Sequence, residues 1–75
     1  MEIIRGKVNG DKRIEEDTIL EGMVVGTATV GSGATLDLRG MVTETLKLEQ
    51  GSRVRLYGMV TGDVVNDGGN LTIYG

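Results

Sequence analysis

Residues 20–64 read LEGMVVGTATVGSGATLDLRGMVTETLKLEQGSRVRLYGMVTGDV, and they contain the tripeptide Gly-Met-Val three times, beginning at Gly22, Gly40 and Gly58. The repeat distance is 18 residues in both steps, and a leucine precedes each tripeptide by two positions. A fixed period of this length is typical of a chain that stacks one structural unit on the next.

Apolar and polar residues alternate through the same segment. Of the 23 even-numbered positions from Leu20 to Val64, 14 are Ala, Val or Leu, five are Gly and only Glu44 is charged. The 22 odd-numbered positions between them hold eight charged residues. Alternation with period two predicts half-buried strands. Because 18 is an even number, every repeat turns the same set of residues inward.

Together, the two patterns predict an all-β fold: a single-stranded triangular parallel β-helix, or β-solenoid, of about four coils of 16–18 residues. We expect residues 1–75 to form one domain, with three short strands and three corners in each coil. Each strand would pair in parallel with its copy in the next coil. The predicted inward columns are Leu20/Leu38/Leu56, Val24/Val42/Val60, Ala28/Leu46/Val64 and Leu36/Val54/Leu71.

Three local predictions follow from this register. The spacing shortens by one residue near residues 66–69, where the inward positions change from even to odd numbers. Opposite charges should meet on neighbouring coils, Glu21 with Arg39 and Asp37 with Arg55. The charged stretch at residues 11–18 is interpreted as a loop or corner.

Composition excludes several classes of function. The chain has no Cys and no His, so a thiolate nucleophile, a disulfide, a histidine base and the commonest metal ligand are all absent. The net charge of −3 argues against binding to nucleic acid through its phosphates. We therefore expect no enzyme activity and no catalytic, cofactor or metal site. The sequence shows no secretory signal and no membrane segment, and we expect a cytoplasmic protein.

Two surfaces are candidates for protein contacts. An uncovered terminal coil exposes unpaired backbone groups and apolar side chains, which predicts an end-to-end interface. Its candidate residues are Ile3, Ile4, Val8, Leu71, Ile73 and Tyr74. The methionines of the repeat fall on outward positions and predict a lateral partner surface, unless they fold back over the edge of the core. Its candidate residues are Met23, Val25, Met41, Tyr57 and Met59.

Residues 56–64, LYGMVTGDV, resemble the G-x-V-x-G-x-[IV] coil signature of bactofilins, the polymer-forming cytoskeletal proteins of bacteria. Residues 4–11 and 22–28 repeat this pattern, and the third coil departs from it at Glu44. The resemblance implies a right-handed triangular β-helix that assembles end to end into filaments without nucleotide, often at a membrane. The period by itself is the same for either hand.

These observations lead to two hypotheses about function. The first is a structural, self-assembling protein whose partner is itself, in a homo-oligomer or filament. In this hypothesis Leu71, Ile73 and Tyr74 of one copy meet Ile3, Ile4 and Val8 of the next. The alternative is a small acidic inhibitor that binds one protein partner, such as an immunity protein that neutralises a toxin. The small size and negative charge of the chain favour this second class without identifying a target.

Overall fold

The computed structural model describes residues 1–74, which form thirteen short β-strands and no helix. All strand pairs are parallel, and the strands form three sheets. This arrangement confirms the predicted β-solenoid of about four coils. The strands are β1 (Glu2–Ile4), β2 (Lys7–Asn9), β3 (Lys12–Ile14), β4 (Thr18–Leu20), β5 (Met23–Val25), β6 (Ala28–Val30), β7 (Thr35–Leu38), β8 (Met41–Val42), β9 (Thr45–Leu48), β10 (Arg53–Leu56), β11 (Met59–Val60), β12 (Asp63–Asn66) and β13 (Asn70–Ile73).

Each sheet collects one strand from every coil. Sheet 1 has the order β1-β4-β7-β10-β13, sheet 2 the order β2-β5-β8-β11, and sheet 3 the order β3-β6-β9-β12. Sheet 1 therefore contains five strands, whereas the other two contain four. The fifth strand of sheet 1 stands one level above the rest of the C-terminal end.

The register confirms all four predicted inward columns. Val24 pairs with Val42, and Val42 pairs with Val60. The columns of Leu38, Leu46 and Val54 are aligned in the same way. The inward aliphatic side chains of the central coils are fully buried and form a single core with no aromatic ring. Narrow coils favour Val and Leu because these side chains fill the space between three close sheets.

Coil length varies at the corners rather than in the strands. The steps Ile4 to Leu20 and Leu56 to Ile73 are 16 and 17 residues, and the two steps between them are 18. The single-residue deletion falls between β12 and β13, as predicted. There the Asn66 side chain accepts hydrogen bonds from the Gly68 and Gly69 amides, which closes the turn.

The charged stretch at residues 11–18 is only partly a corner. Lys12–Ile14 forms β3 and pairs with Ala28–Val30, so the prediction of a loop or corner is wrong for these three residues. Ile14 is buried and provides the inward residue that anchors the strand. The corner consists of residues 15–17, where three consecutive carboxylates face solvent.

Glycine is required at one corner because the coils approach there very closely. The Arg39 and Gly40 amides both donate to the carbonyl oxygen of Leu20, at 2.9 and 2.8 Å. Because both amides bind the same oxygen, the turn at Arg39 and Gly40 lies directly against the coil below. A Cβ on Gly40 would overlap the carbonyl oxygen of Gly22, and Gly22 and Gly58 are placed in the same way.

Of the two ion pairs predicted between neighbouring coils, the structure forms one. The Arg55 Nε lies 2.7 Å from Asp37 Oδ1, as expected. The Glu21 carboxylate instead meets Arg5 Nε at 3.2 Å, whereas the Arg39 guanidinium lies over the Tyr57 ring, 5.4 Å from its centroid. Glu21 therefore pairs with the coil below it rather than with the coil above.

A second ion pair spans three coils. Arg13, in the first coil, donates two hydrogen bonds to the Glu49 carboxylate in the third, at 2.7 and 3.1 Å. Gly31 lies between them, and a Cβ there would be 3.4 Å from Arg13 Nη2. The absence of a side chain at residue 31 lets the guanidinium cross the second coil.

This bridge makes stability depend on pH. The hydrogen bonds from Arg13 hold the pKa of Glu49 below its ordinary value. The stabilisation is therefore complete above the pKa of the unfolded chain, and it is lost as pH falls through the lower folded pKa. We expect wild type to lose more stability than Glu49→Gln between neutral pH and about pH 3, measured by urea unfolding.

Glu44→Gln is the matched control, since Glu44 is exposed and forms no ion pair within residues 1–74. Its pH dependence should follow that of wild type. An equal pH dependence for wild type and Glu49→Gln would show that the Arg13–Glu49 contact adds nothing to stability.

Candidate functional site: the two ends of the solenoid

The C-terminal end exposes the inside of the solenoid. Val64 and Ile73 occupy inward columns, but no coil covers them within residues 1–74, and they are 41% and 66% exposed. Val60 and Leu71 lie beside them and are only partly buried. The three outermost strands, β11, β12 and β13, also have one unpaired edge each. This face can accept both apolar contacts and backbone hydrogen bonds.

An aromatic column borders this face. Tyr74 stacks on Tyr57 with ring centroids 4.8 Å apart and planes 11° from parallel. The centroid separation equals the spacing of adjacent strands, because the two rings occupy equivalent positions in successive coils. Arg39 continues the column below Tyr57. The outer ring, Tyr74, remains largely exposed at the rim of the end face.

The N-terminal end is different because charged residues occupy two of its inward positions. Glu2 lies in the column of Thr18 and Leu36, and Lys12 in the column of Ala28 and Leu46. The Lys12 Nζ lies 3.9 Å from Glu2 Oε1. Above Lys12 the side chain of Ala28 is small, so the lysine stem has room to cover the core while its ammonium group stays in water.

Three of the predicted interface residues lie at this charged end. Ile4 and Val8 point inward and are partly buried against the core. Ile3 lies on the outward face of β1, opposite Ile19, and is exposed. The structure therefore brings the six predicted end residues to two separate faces: Ile3, Ile4 and Val8 to one, and Leu71, Ile73 and Tyr74 to the other.

Glu2 and Lys12 are not among the residues that the sequence predicted at the ends. The signal that could have identified them is the alternation itself, since both residues have the even numbering of Ile4, Val8 and Ile14. A charged residue at an inward position is improbable in the middle of a solenoid but suitable at its end, where the side chain can reach water.

The predicted lateral surface is a column in register, but its members differ in exposure. Met23, Met41 and Met59 pair in succession along sheet 2. Met23, Met41 and Val25 are half-buried, whereas Met59 is 53% exposed. The lower two methionines border a shallow groove along the glycine corner, with Arg5, Lys7 and Glu21 at its rim. The most exposed members of this surface are Met59 and Tyr57, and they adjoin the C-terminal end.

Within residues 1–74, no three carboxylates gather in a group that could hold a metal ion. The same residues contain no helix long and apolar enough to cross a membrane.

Comparison of the chain with known proteins found no matching family model, curated protein or solved structure. The resemblance to bactofilins stays a prediction from the coil pattern.

Proposed function

We propose that this chain is a structural protein that associates with copies of itself through the ends of its solenoid. One observation carries the proposal: of the eight large apolar side chains that are exposed within residues 1–74, six belong to the segment from Tyr57 to Tyr74. A bactofilin-like role belongs to this proposal, supported by the coil pattern and by the β-solenoid fold.

The physical advantage of association lies in the unfinished C-terminal coil. Each exposed inward side chain that another molecule covers contributes about 25 cal/mol per Å² of apolar surface removed from water. An end face of this molecule, which measures 27 × 25 × 23 Å, offers at most about 600 Å² per copy, near the lower limit for specific interfaces. We therefore expect association in the micromolar range rather than the nanomolar range.

Val64→Lys tests this function. A lysine at residue 64 would occupy the same inward column that Lys12 occupies at the other end, so the fold has a precedent for it. It would place a charge in the middle of the proposed contact, where covering it costs several kcal/mol. We expect the variant to stay monomeric in light scattering from about 1 µM to about 1 mM, while wild type gains mass.

Val65→Lys is the matched control. Val65 is the next residue, has the same 41% exposure, and points outward in register with Lys47. We expect this variant to associate like wild type, and circular dichroism should show both variants folded. A wild type that remains monomeric throughout the concentration series would contradict self-association and favour the inhibitor class, which needs another protein.

A further inference from the structure

The two ends of the solenoid are unequal in charge. Residues 1–17 contain nine charged side chains, whereas residues 58–74, a segment of the same length, contain two, Asp63 and Asp67. The inward positions differ in the same sense, with Glu2 and Lys12 at one end and Val64, Leu71 and Ile73 at the other. The free energy of association should therefore differ between a contact that joins an N-terminal end to a C-terminal end and a contact that joins two C-terminal ends.

Head-to-tail stacking would cover the Glu2–Lys12 pair with the apolar C-terminal face of another copy. Both side chains are partly solvated, with 44% and 31% of their surfaces exposed. Their separation of 3.9 Å is too long for a strong hydrogen bond that would offset the loss of water. Contact between two C-terminal faces covers no charge at an inward position.

We propose that the partner of the C-terminal face is the C-terminal face of a second copy, which gives a closed two-fold dimer. This inference rests on the proposed self-association and specifies its geometry. The charged N-terminal ends then point outward, away from the contact, and the Glu2–Lys12 pair prevents further growth. The assembly consequently stops at two chains, and in this respect it departs from the filament that the resemblance to bactofilins implies.

The step formed by β13 fits the same geometry. In a two-fold dimer, the protruding β13 of each copy occupies the level that is vacant above β12 of the other. The two-fold axis reverses the direction in which the second copy winds. Strand β13 of one copy therefore runs antiparallel to β12 of the other. The β13 strands of the two copies thus fill two of the three sides of the layer between the copies. Each β13 also pairs with the β12 edge of the other copy, which is unpaired in a single copy.

Concentration-dependent NMR spectra of uniformly ¹⁵N-labelled wild type test the geometry. For the two-fold dimer we expect amide shifts in β11, β12 and β13, with β1, β2 and β3 unchanged, and a mass that reaches twice that of the monomer and no more. Shifts at both ends, or a mass that keeps rising, would overturn the closed dimer but leave self-association standing. The absence of any concentration dependence would overturn both.

A double variant tests the role of the charge pair. Replacing Glu2→Val and Lys12→Val makes the N-terminal face apolar, and we expect masses above that of the dimer at high concentration. The control is Lys7→Val with Glu44→Val, which removes the same charges from exposed positions on the sides of the solenoid. This control should stop at the dimer. A Glu2→Val/Lys12→Val protein that also stops at the dimer would show that the pair does not limit assembly.

Discussion

Gly40→Ala is expected to cause the largest loss of stability of any substitution considered for this protein. The added methyl group would overlap the carbonyl oxygen of Gly22 and come within 2.9 Å of the Glu21 oxygen. Both are backbone atoms of the coil below, so relief requires separation of two paired coils rather than rotation of a side chain. We expect a loss of more than about 3 kcal/mol, a large part of the roughly 4–11 kcal/mol that a chain of this size possesses. Urea unfolding monitored by circular dichroism measures it.

Gly6→Ala provides the control from the same corner. Gly6 occupies the equivalent position in the first coil, and a Cβ there would have no atom of the described residues within 4 Å. Its backbone is also outside the left-handed region. We expect this variant to be as stable as wild type within about 0.5 kcal/mol. An equal loss of stability in Gly6→Ala and Gly40→Ala would contradict this explanation. It would mean that glycine recurs at this corner for its backbone flexibility and not because the coils lie too close for a side chain.

Leu38→Ala is expected to cause the second-largest loss of stability. Leu38 is fully buried and lies between Leu20 and Leu56 in one inward column. Its truncation leaves a cavity that the neighbouring coils cannot close, because their spacing is set by backbone hydrogen bonds on three sides. We expect a loss of about 2–5 kcal/mol, measured from the urea midpoint with an unchanged slope.

Leu71→Ala makes the same chemical change at the end of the stack. Leu71 is only partly buried and has a paired neighbour, Val54, on one side within the described residues. We expect a loss below about 1.5 kcal/mol, determined at low concentration so that association does not contribute. A loss as large as that of Leu38→Ala would contradict the assignment of Leu71 to an uncovered coil.

These two comparisons have the same physical basis as the proposed function. In a solenoid each coil is stabilised by its neighbours, so the terminal coils lack part of the interactions that hold the middle together. At the N-terminal end, Glu2 and Lys12 reduce this deficit with charged groups that keep contact with water. At the C-terminal end no polar residue of this kind occupies the positions of Val64 and Ile73, and a second copy can supply the missing contacts.

The repeat in the sequence was sufficient to predict the architecture. The 18-residue step of the Gly-Met-Val tripeptides and the alternation from Leu20 to Val64 leave few folds available, because a coil of even length keeps the same alternate positions inward. The columns of Val24 and Leu38 were therefore predictable, as was the position of the shortened coil near Asn66. These features depend on spacing along the chain, which the sequence contains directly.

The ends required the tertiary structure. Alternation shows that Glu2 and Lys12 are inward residues, but their approach to one another depends on two different sheets meeting at a corner. The choice of Arg5 rather than Arg39 as the partner of Glu21 likewise depends on side-chain rotamers and on the competing Tyr57 ring. The Arg13–Glu49 bridge joins residues 36 positions apart and needs the gap at Gly31.

The sequence alone thus determined which residues lie inside and which coil follows which, because a backbone period is a local property repeated many times. Only the tertiary structure decided which side chains meet at the ends, where Lys12 approaches Glu2 and Tyr74 stacks on Tyr57. These contacts join side chains from separate sheets or at the rim of the last coil, and no repeat along the chain describes them.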